Sequence, residues 1–380
     1  MTAETLFHGD QAGGPLHGVR VIDLSTTVMG PYATELMAEL GADVVKIEQP
    51  DGDIVRGIGD QDGQRLGPIF LNLNRGKRSV VLDLRDDADY ETMLDYVAEC
   101  DVLVHNKPPA TARRLRIDYA SVAHVNDQLI YCMLQGFGHD GPYRDKPAYD
   151  DIIQAASGMA HVQGGTGEPQ YVRTPVADKI TGLFGLAAIN AALYARERGA
   201  GGQSITVPMF ESMVSFVLAE AQGDWVFSPP RGAPGYARMN SPHRRPFPTA
   251  DGTISVMPNT DAHWKAFFTM VDATDMLDNP LYRDITARTN NVDSLYMFLA
   301  SQLVHRTTGE WMAAFDAQGI PAMPVLSIPA LFDDPHLTAT NLFSVTEHPV
   351  VGPLRQTRFP IDFSKTRCGA VRPAPELGSG

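Results

Sequence analysis

Three groups of residues carry side chains that could do chemistry. The first is NRGKRS at 74–79, where Arg75, Lys77 and Arg78, spaced by Gly76, stand just before an apolar run of strand length. Guanidinium groups meet phosphate oxygens two at a time, so such a loop beside a parallel sheet would clamp phosphates. The alternative is a solvated, positively charged turn. The second group is NKPPATARR at 106–114, where Asn106, Lys107, Arg113 and Arg114 follow another apolar run. Open α/β sheets hold ligands outside the carboxyl ends of their strands, so two basic loops there would form an anion site. The third is Asp178 in TPVADKITG, at the start of a long apolar segment. An aspartate at a helix start is usually a cap. The helix dipole also favours an ionised carboxylate there, which is the state a carboxylate nucleophile needs.

Other chemistries lack a foothold. The segment after the first apolar run, STTVMGPYA, is not G-x-G-x-x-G, so neither a nicotinamide nor a flavin site is expected. There is no P-loop, no G-x-S-x-G and no HExxH, and the 11 histidines show no ligand spacing. Cys100, Cys132 and Cys368 are far apart with no CxxC, so no disulfide framework and no metal site is expected. The 380 residues are 43% hydrophobic and carry a net charge of −14. That composition excludes a disordered chain and argues against nucleic acid or a membrane surface as partner. A polyanionic ligand must then be met by a local cluster of cations. MTAETLFHGDQAGGPLHG lacks the basic start and apolar core of a leader, and no run of ~18 uncharged apolar residues occurs. A soluble, cytoplasmic enzyme is expected.

The elements that must position these residues follow from periodicity. VRVIDL at 19–24 reads as a strand, 32–40 has helical spacing that stops at Gly41, and ADVVKI at 42–47 reads as the next strand. A strand, helix and strand within so short a span imply parallel pairing and a right-handed crossover. Strands at 79–84, 101–106 and 129–134 and a helix over 89–99 continue the pattern, giving an open, mostly parallel α/β domain. A long helix is expected over 178–197, a strand at 204–207, and a further helix opening at Pro208. The segment 228–247 is rich in Pro, Gly and Arg and shows no period, as in a connector or active-site loop. A strand at 251–258 and helices around 263–271, 292–303 and 308–318 then make a second, smaller α+β domain.

Taken together, LHGVRVIDLSTTVMGPYATELMAELGADVVKIEQP, NRGKRSVVLDL, GHDGPYRDKPAYDDIIQAASG, PVADKITGLFGLAAINAALYAR, GGQSITVPMFESMV, FPTADGTISV and GIPAMPVLSIPALFDDPHL resemble the class III coenzyme A transferases, the CaiB/BaiF group. The resemblance runs in order from about residue 15 to residue 365. It implies a Rossmann-like large domain beginning in 1–225, a small domain over 226–330 and a C-terminal strap over 331–380 returning to the large one. It further implies a ring-shaped subunit in an interlocked homodimer. The partners would be an acyl-CoA donor and a carboxylic acid acceptor, with CoA as substrate and no metal, nicotinamide or flavin. The nucleophilic aspartate falls on Asp178. CoA contacts fall on Val28 and Met29, on Gln49, on Arg75, Gly76, Lys77 and Arg78, on Asn106 and Lys107, on Arg114, and on Lys146 and Tyr149 in the 146–150 segment. Gln49 stands where some members carry Arg, and the Gly-rich loop of the formyl-CoA branch is absent.

The resemblance implies that the aspartate passes CoA on through an anhydride and an aspartyl-CoA thioester, which keeps the thioester's energy in every intermediate. The α-methylacyl-CoA racemases share the fold but need a His in the segment matching AYDD. Tyr149 stands there instead, and a phenol, which ionises only around pH ~10, exchanges protons poorly at neutral pH. A catalytically silent acyl-CoA binding protein is the remaining alternative. His243, Arg244 and Arg245 could meet an acidic acceptor, or form a solvated basic turn.

Overall fold

The computed structural model describes Phe7, residues 13–369 and residues 371–380. Most of the segment expected to carry no leader lies outside the described residues. Along the chain run β1 (Arg20–Asp23), α1 (Met29–Glu39), β2 (Asp43–Glu48), α2 (Pro68–Leu73), β3 (Lys77–Val81), α3 (Asp87–Glu99), β4 (Val102–His105), α4 (Pro109–Arg114) and β5 (Ile130–Gln135). They are followed by α5 (Asp150–Ala156), α6 (Val176–Ala195), β6 (Gln203–Pro208) and α7 (Met209–Ala221). Pro208 therefore closes a strand, and the helix expected to open on it starts at Met209.

Six strands form one parallel sheet in the order β3-β2-β1-β4-β5-β6. The order reverses between β1 and β4, and such a switch point opens a crevice at the carboxyl ends of the strands. Both faces of the sheet are covered, which explains why the strands read as continuous apolar runs instead of alternating ones. Ile22, Val45, Ile47, Leu103 and Tyr131 face a core shared with Tyr90, Met93, Tyr96 and Val97 of α3. On the opposite face α1 and α6 pack together and against the sheet. Their close approach depends on two small residues. A Cβ on Gly182 would stand 2.8 Å from the Met29 backbone oxygen, and one on Gly185 would stand 3.0 Å from the Leu134 side chain. α6 is long and apolar enough to cross a membrane by length and composition; one side packs on α1, β5 and β6, while Leu183 and Phe184 stay exposed.

The chain divides into two compact units, one made of residues 1–160, 171–216 and 335–380, the other of 161–170 and 217–334. The expected small domain, 226–330, lies wholly inside the second unit. That unit contains an antiparallel sheet of β7 (Phe247–Pro248), β8 (Thr253–Val256) and β9 (Ala322–Pro324). Three of its helices are α8 (Asp261–Met270), α9 (Val292–Leu303) and α10 (Thr308–Gln318). An aromatic core of Trp264, Phe267, Phe268, Trp311 and Phe315 fills the space between helices and sheet. The 335–380 segment is more than a strap, because it folds into a hairpin of β10 (Phe343–His348) and β11 (Gly352–Thr357). It then packs on the first unit, with Ala374, Val351 and Leu354 against Val55, Phe70 and Leu71.

The glycine contact yields a test. Gly182→Val pushes a branched side chain onto a backbone carbonyl that cannot rotate away, so it should cost on the order of 3 kcal/mol in urea denaturation. Gly185→Ala, facing a flexible leucine, should cost less than half as much.

Candidate active site

The 24–28 loop after β1 stands above a buried network of charges. Asp23, fully buried, accepts hydrogen bonds from Lys77 Nζ at 2.9 Å, from Thr34 Oγ1 at 2.7 Å and from the Ser25 amide at 2.8 Å. Burial would raise its pKa, but the Lys77 and Lys46 ammoniums hold the carboxyl well below the usual range. Lys77 is itself pushed down to about 8 by burial, against the pull of Asp23. Lys46 Nζ donates to the Ser25 carbonyl at 2.7 Å and pairs with Asp53 at 3.1 Å. Asp53 accepts the Thr27 amide, and Asn106 holds Thr26 from both sides, Nδ2 to its carbonyl at 2.8 Å and Oδ1 from its amide at 3.0 Å. Thr27 is held at φ +76°, a conformation that costs a β-branched residue about 1–3 kcal/mol. Asn106 therefore shapes the loop.

That geometry corrects the first group of expected ligand contacts. Arg75 is buried against Glu35 and Glu39, Lys77 against Asp23, and Arg78 against Asp43 at 2.6 Å. Gly76 turns with φ +74°, and a Cβ there would stand 2.8 Å from Ala38. Burial, then the Glu35 charge, pushes the Glu39 carboxyl up to about 8, so it holds a proton at neutral pH while Arg75 balances Glu35. These residues are neither a phosphate clamp nor a solvated turn. The physical reason is direction: Lys77 begins β3, and ligands collect where parallel strands end. Val28 and Met29 are also buried, and the Met29 carbonyl packs on Gly182.

The carboxyl ends of β1 to β4 do open a cavity of about 300 Å³, lined by Thr26, Gln49, Asp53, Arg85, Lys107 and Arg114 among others. Three of the expected contacts, Gln49, Lys107 and Arg114, are among these lining residues. Arg85 lines it too and was not singled out in the sequence. It follows the β3 run in SVVLDLRD and pairs with Asp83 at 2.7 Å. The far wall is fixed by a buried relay. The Lys107 amide donates to His105 Nδ1 at 3.1 Å, His105 Nε2 meets the Tyr131 hydroxyl, and Tyr131 donates to the Ile117 carbonyl at 3.0 Å. Burial pushes His105 down to about 3, so it stays neutral and this wall does not titrate near neutral pH.

Asp178 lies in the first turn of α6, behind Pro175 at the cap position. Its carboxylate is no cap, since among the described residues it accepts no hydrogen bond. Its amide donates instead to Asp150 Oδ1 at 3.0 Å. The buried Gln154 holds Asp150 from Nε2 at 2.6 Å and accepts the Val172 amide at 2.8 Å, which ties α5 to the segment leading into α6. Burial, then the Asp150 charge, pushes the Asp178 carboxyl up to about 7. The helix dipole works the other way but does not prevail. Tyr149 precedes Asp150 and is 75% exposed, and the exposed Lys146 stacks 4.1 Å over the Tyr143 ring. Neither lines the cavity. Thr26 lines it while Met29 touches α6 about one turn past Asp178, so one loop links the two. Among the described residues no group of three or more His, Cys, Asp or Glu could hold a metal ion.

A carboxylate at a helix start, in a fold whose crevice at the switch point of a parallel sheet is lined by Arg85, Lys107 and Arg114, now stands with its relatives. The family model for CoA-transferase family III matches residues 16–380. The chain belongs to CoA-transferase family III. This CoA-transferase moves CoA from an acyl-CoA donor to a carboxylic acid. It is 32% identical to the succinate–glutarate CoA-transferase of Agrobacterium fabrum over 376 residues, covering 96% of this chain and 93% of that one. It is 34% identical to the acetyl-CoA:oxalate CoA-transferase of Acetobacter aceti, covering 87% and 85%. A crystal structure of a CAIB/BAIF family protein from Brucella suis matches the transferase with a TM-score of 0.83 at 29% identity, over 97% of both chains.

The buried network carries its own prediction. Lys77→Met should cost about 3–5 kcal/mol in thermal or urea denaturation, because it leaves Asp23 buried beside one ammonium where two stood. A loss below 1 kcal/mol would mean the network is solvated.

Proposed function

We propose that Asp178 is the nucleophile of the transfer and that Arg85, Lys107 and Arg114 in the crevice hold the phosphates of CoA. The observation that carries this is a carboxylate that among the described residues accepts no hydrogen bond, set at a helix start and pushed up to about 7 by burial and then the Asp150 charge, which leaves it partly ionised and basic at neutral pH. One carboxylate oxygen of Asp178 attacks the donor's thioester carbon, the C–S bond breaks, and the CoA thiolate leaves with the electron pair. The product is a mixed anhydride. The thiolate then attacks the Asp178 acyl carbon, releasing the donor's acid and forming an aspartyl-CoA thioester. The acceptor's carboxylate repeats both steps in reverse, so no proton is gained or lost. An ester on a serine would be too stable to return its acyl group, which is why a carboxylate suits the role. Water must be kept out while the anhydride exists.

Gln49, Arg85, Lys107 and Arg114 are the proposed CoA contacts. Arg85 and Arg114 suit bidentate phosphate recognition, and Lys107 supplies a point charge. Succinate, glutarate and oxalate in the relatives' names are dicarboxylic, the acetyl donor of one is not, and a dicarboxylic acceptor is proposed here. The interlocked homodimer implied by the resemblance is kept as a proposal, supported by apolar side chains left exposed on the subunit, such as Leu183 and Phe184 of α6. A cytoplasmic location is likewise proposed, on the use of CoA and three unpaired cysteines.

Intact mass spectrometry after incubation with acyl-CoAs should show an adduct of CoA less water on the wild type and none on Asp178→Ala. An adduct on both would reject Asp178. Because Asp178 must be ionised, the rate of adduct formation should fall about tenfold per pH unit below pH ~7. Asp150→Asn should move that midpoint down by removing the neighbouring charge. In steady-state assays Arg85→Gln and Arg114→Gln should each raise the KM for acyl-CoA about tenfold, and Arg113→Gln should not.

A further inference from the structure

The way α6 begins has its own explanation. The first amides of a helix have no partner within it, and the side chain of the capping residue usually meets one of them. The capping position here is Pro175, which has no side-chain oxygen to offer. The Asp178 amide is met instead from another helix, by Asp150 Oδ1 at 3.0 Å. The carboxylate that caps α6 is therefore the same one whose charge acts on the Asp178 carboxyl.

Asp150 stands in the first turn of α5 and is only half-buried, where a carboxylate is free to turn toward water. Gln154, one turn further along α5 and fully buried, pins it. Nε2 donates at 2.6 Å to Asp150 Oδ2, the oxygen that does not meet the Asp178 amide. The same Nε2 lies 3.3 Å from the Val172 carbonyl and 3.4 Å from that of Thr174, while Oε1 accepts the Val172 amide at 2.8 Å. The Thr174 carbonyl also accepts the amide of Val176, the first residue of α6, at 2.6 Å. One side-chain amide thus holds the cap in register with the helix that it caps. The choice of an amide matters. A lysine or arginine here would hold Asp150 as well but would cancel its charge, whereas a neutral donor fixes the geometry and leaves the charge in force.

Among the described residues the other titratable groups near the start of α6 are engaged, neutral or exposed. Lys179 donates to the Thr174 hydroxyl at 2.7 Å, and Glu35 and Glu39 of α1 pair with Arg75. Burial keeps Tyr32 of α1 and Cys132 of β5 neutral. Tyr149, Asp151, Tyr171 and Arg173 are exposed.

We infer that Gln154 is a positioning residue for the transfer, holding the Asp150 carboxylate on the Asp178 amide so that its charge bears on the nucleophile. Gln154 acts only through Asp150 and touches no reacting group. The inference rests on the reading of Asp178 as nucleophile.

The test is a pH titration of the Asp178 carboxyl in the full-length protein by carbon NMR, its resonance assigned by its loss in Asp178→Asn, alongside acyl-CoA kinetics. Wild type is compared with Gln154→Met, which fills the same space without a donor, with Asp150→Asn, and with the two changes together. Released from Nε2, Asp150 turns to solvent, so Gln154→Met should lower the Asp178 midpoint by about half a pH unit or more, in the same direction as Asp150→Asn. The double variant should titrate as Asp150→Asn does alone. At neutral pH kcat should fall about tenfold, while the KM for acyl-CoA moves less than about twofold. If Gln154→Met melts early, Gln154→Asn, which draws both polar groups back by one methylene, carries the same comparison. A merely structural role would lower the melting temperature and leave the midpoint where it was. An unmoved midpoint, a double variant shifted beyond Asp150→Asn, or a loss carried by KM with kcat unchanged each overturns the inference. The mass-spectrometric adduct separates the two readings. An adduct on Asp178→Ala with a midpoint that moves rejects the nucleophile while Gln154 still sets Asp178. An adduct that needs Asp178, with a midpoint indifferent to Gln154, rejects this inference alone.

Discussion

The structure depends on one arrangement of buried charge. Asp23 ends the first strand inside the protein, where a lone carboxylate would cost several kcal/mol. It is tolerable only because Lys46 arrives from the neighbouring β2 and Lys77 from β3 beyond it, and because Ser25 and Thr34 satisfy its remaining lone pairs. Those same lysines donate to the Ser25 and Pro31 carbonyls, so the loop from β1 to α1 is moulded by the network beneath it. Strand order, loop shape and the position of the crevice are therefore one electrostatic solution. Apolar substitutes could match its stability but would not hold a strained Thr27 in place.

The chemistry proposed for Asp178 would use the opposite device. Asp23 is made a permanent anion by two cations, whereas among the described residues Asp178 pairs with no cation and feels the charge of Asp150. A nucleophile that is also a leaving group must be neither too comfortable as an anion nor too often protonated. Burial and a like charge set that balance, and Gln154 fixes the geometry that maintains it.

Much of this was legible in the sequence. Continuous apolar runs gave the parallel sheet, because strands covered on both faces leave no polar alternation. Helices at 292–303 and 308–318 fall where periodicity placed them. Gln49, Lys107 and Arg114, singled out by residue type and place, do line the crevice, and Asp178 does start α6. The failure at Arg75, Lys77 and Arg78 has a specific cause. A run of cations looks the same whether it faces phosphate or carboxylate, and their partners, Glu35, Glu39, Asp23 and Asp43, lie up to 54 residues away. Strand polarity would have helped, since Lys77 opens β3 while Arg85 follows its end.

The larger unit is assembled from three separate stretches of chain, and its last one reaches far back. The Gly380 amide donates to the Ser79 carbonyl at 2.7 Å, Arg56 donates to the Pro375 carbonyl, and Gln356 donates to that of Leu71. During synthesis the sheet must wait for these partners until the whole smaller unit has been made, while the smaller unit is nearly contiguous. Order of emergence and order of completion are thus inverted, and the half-built sheet has to remain soluble in the interval. Completion of the large unit is thus delayed by its connectivity and not by its size.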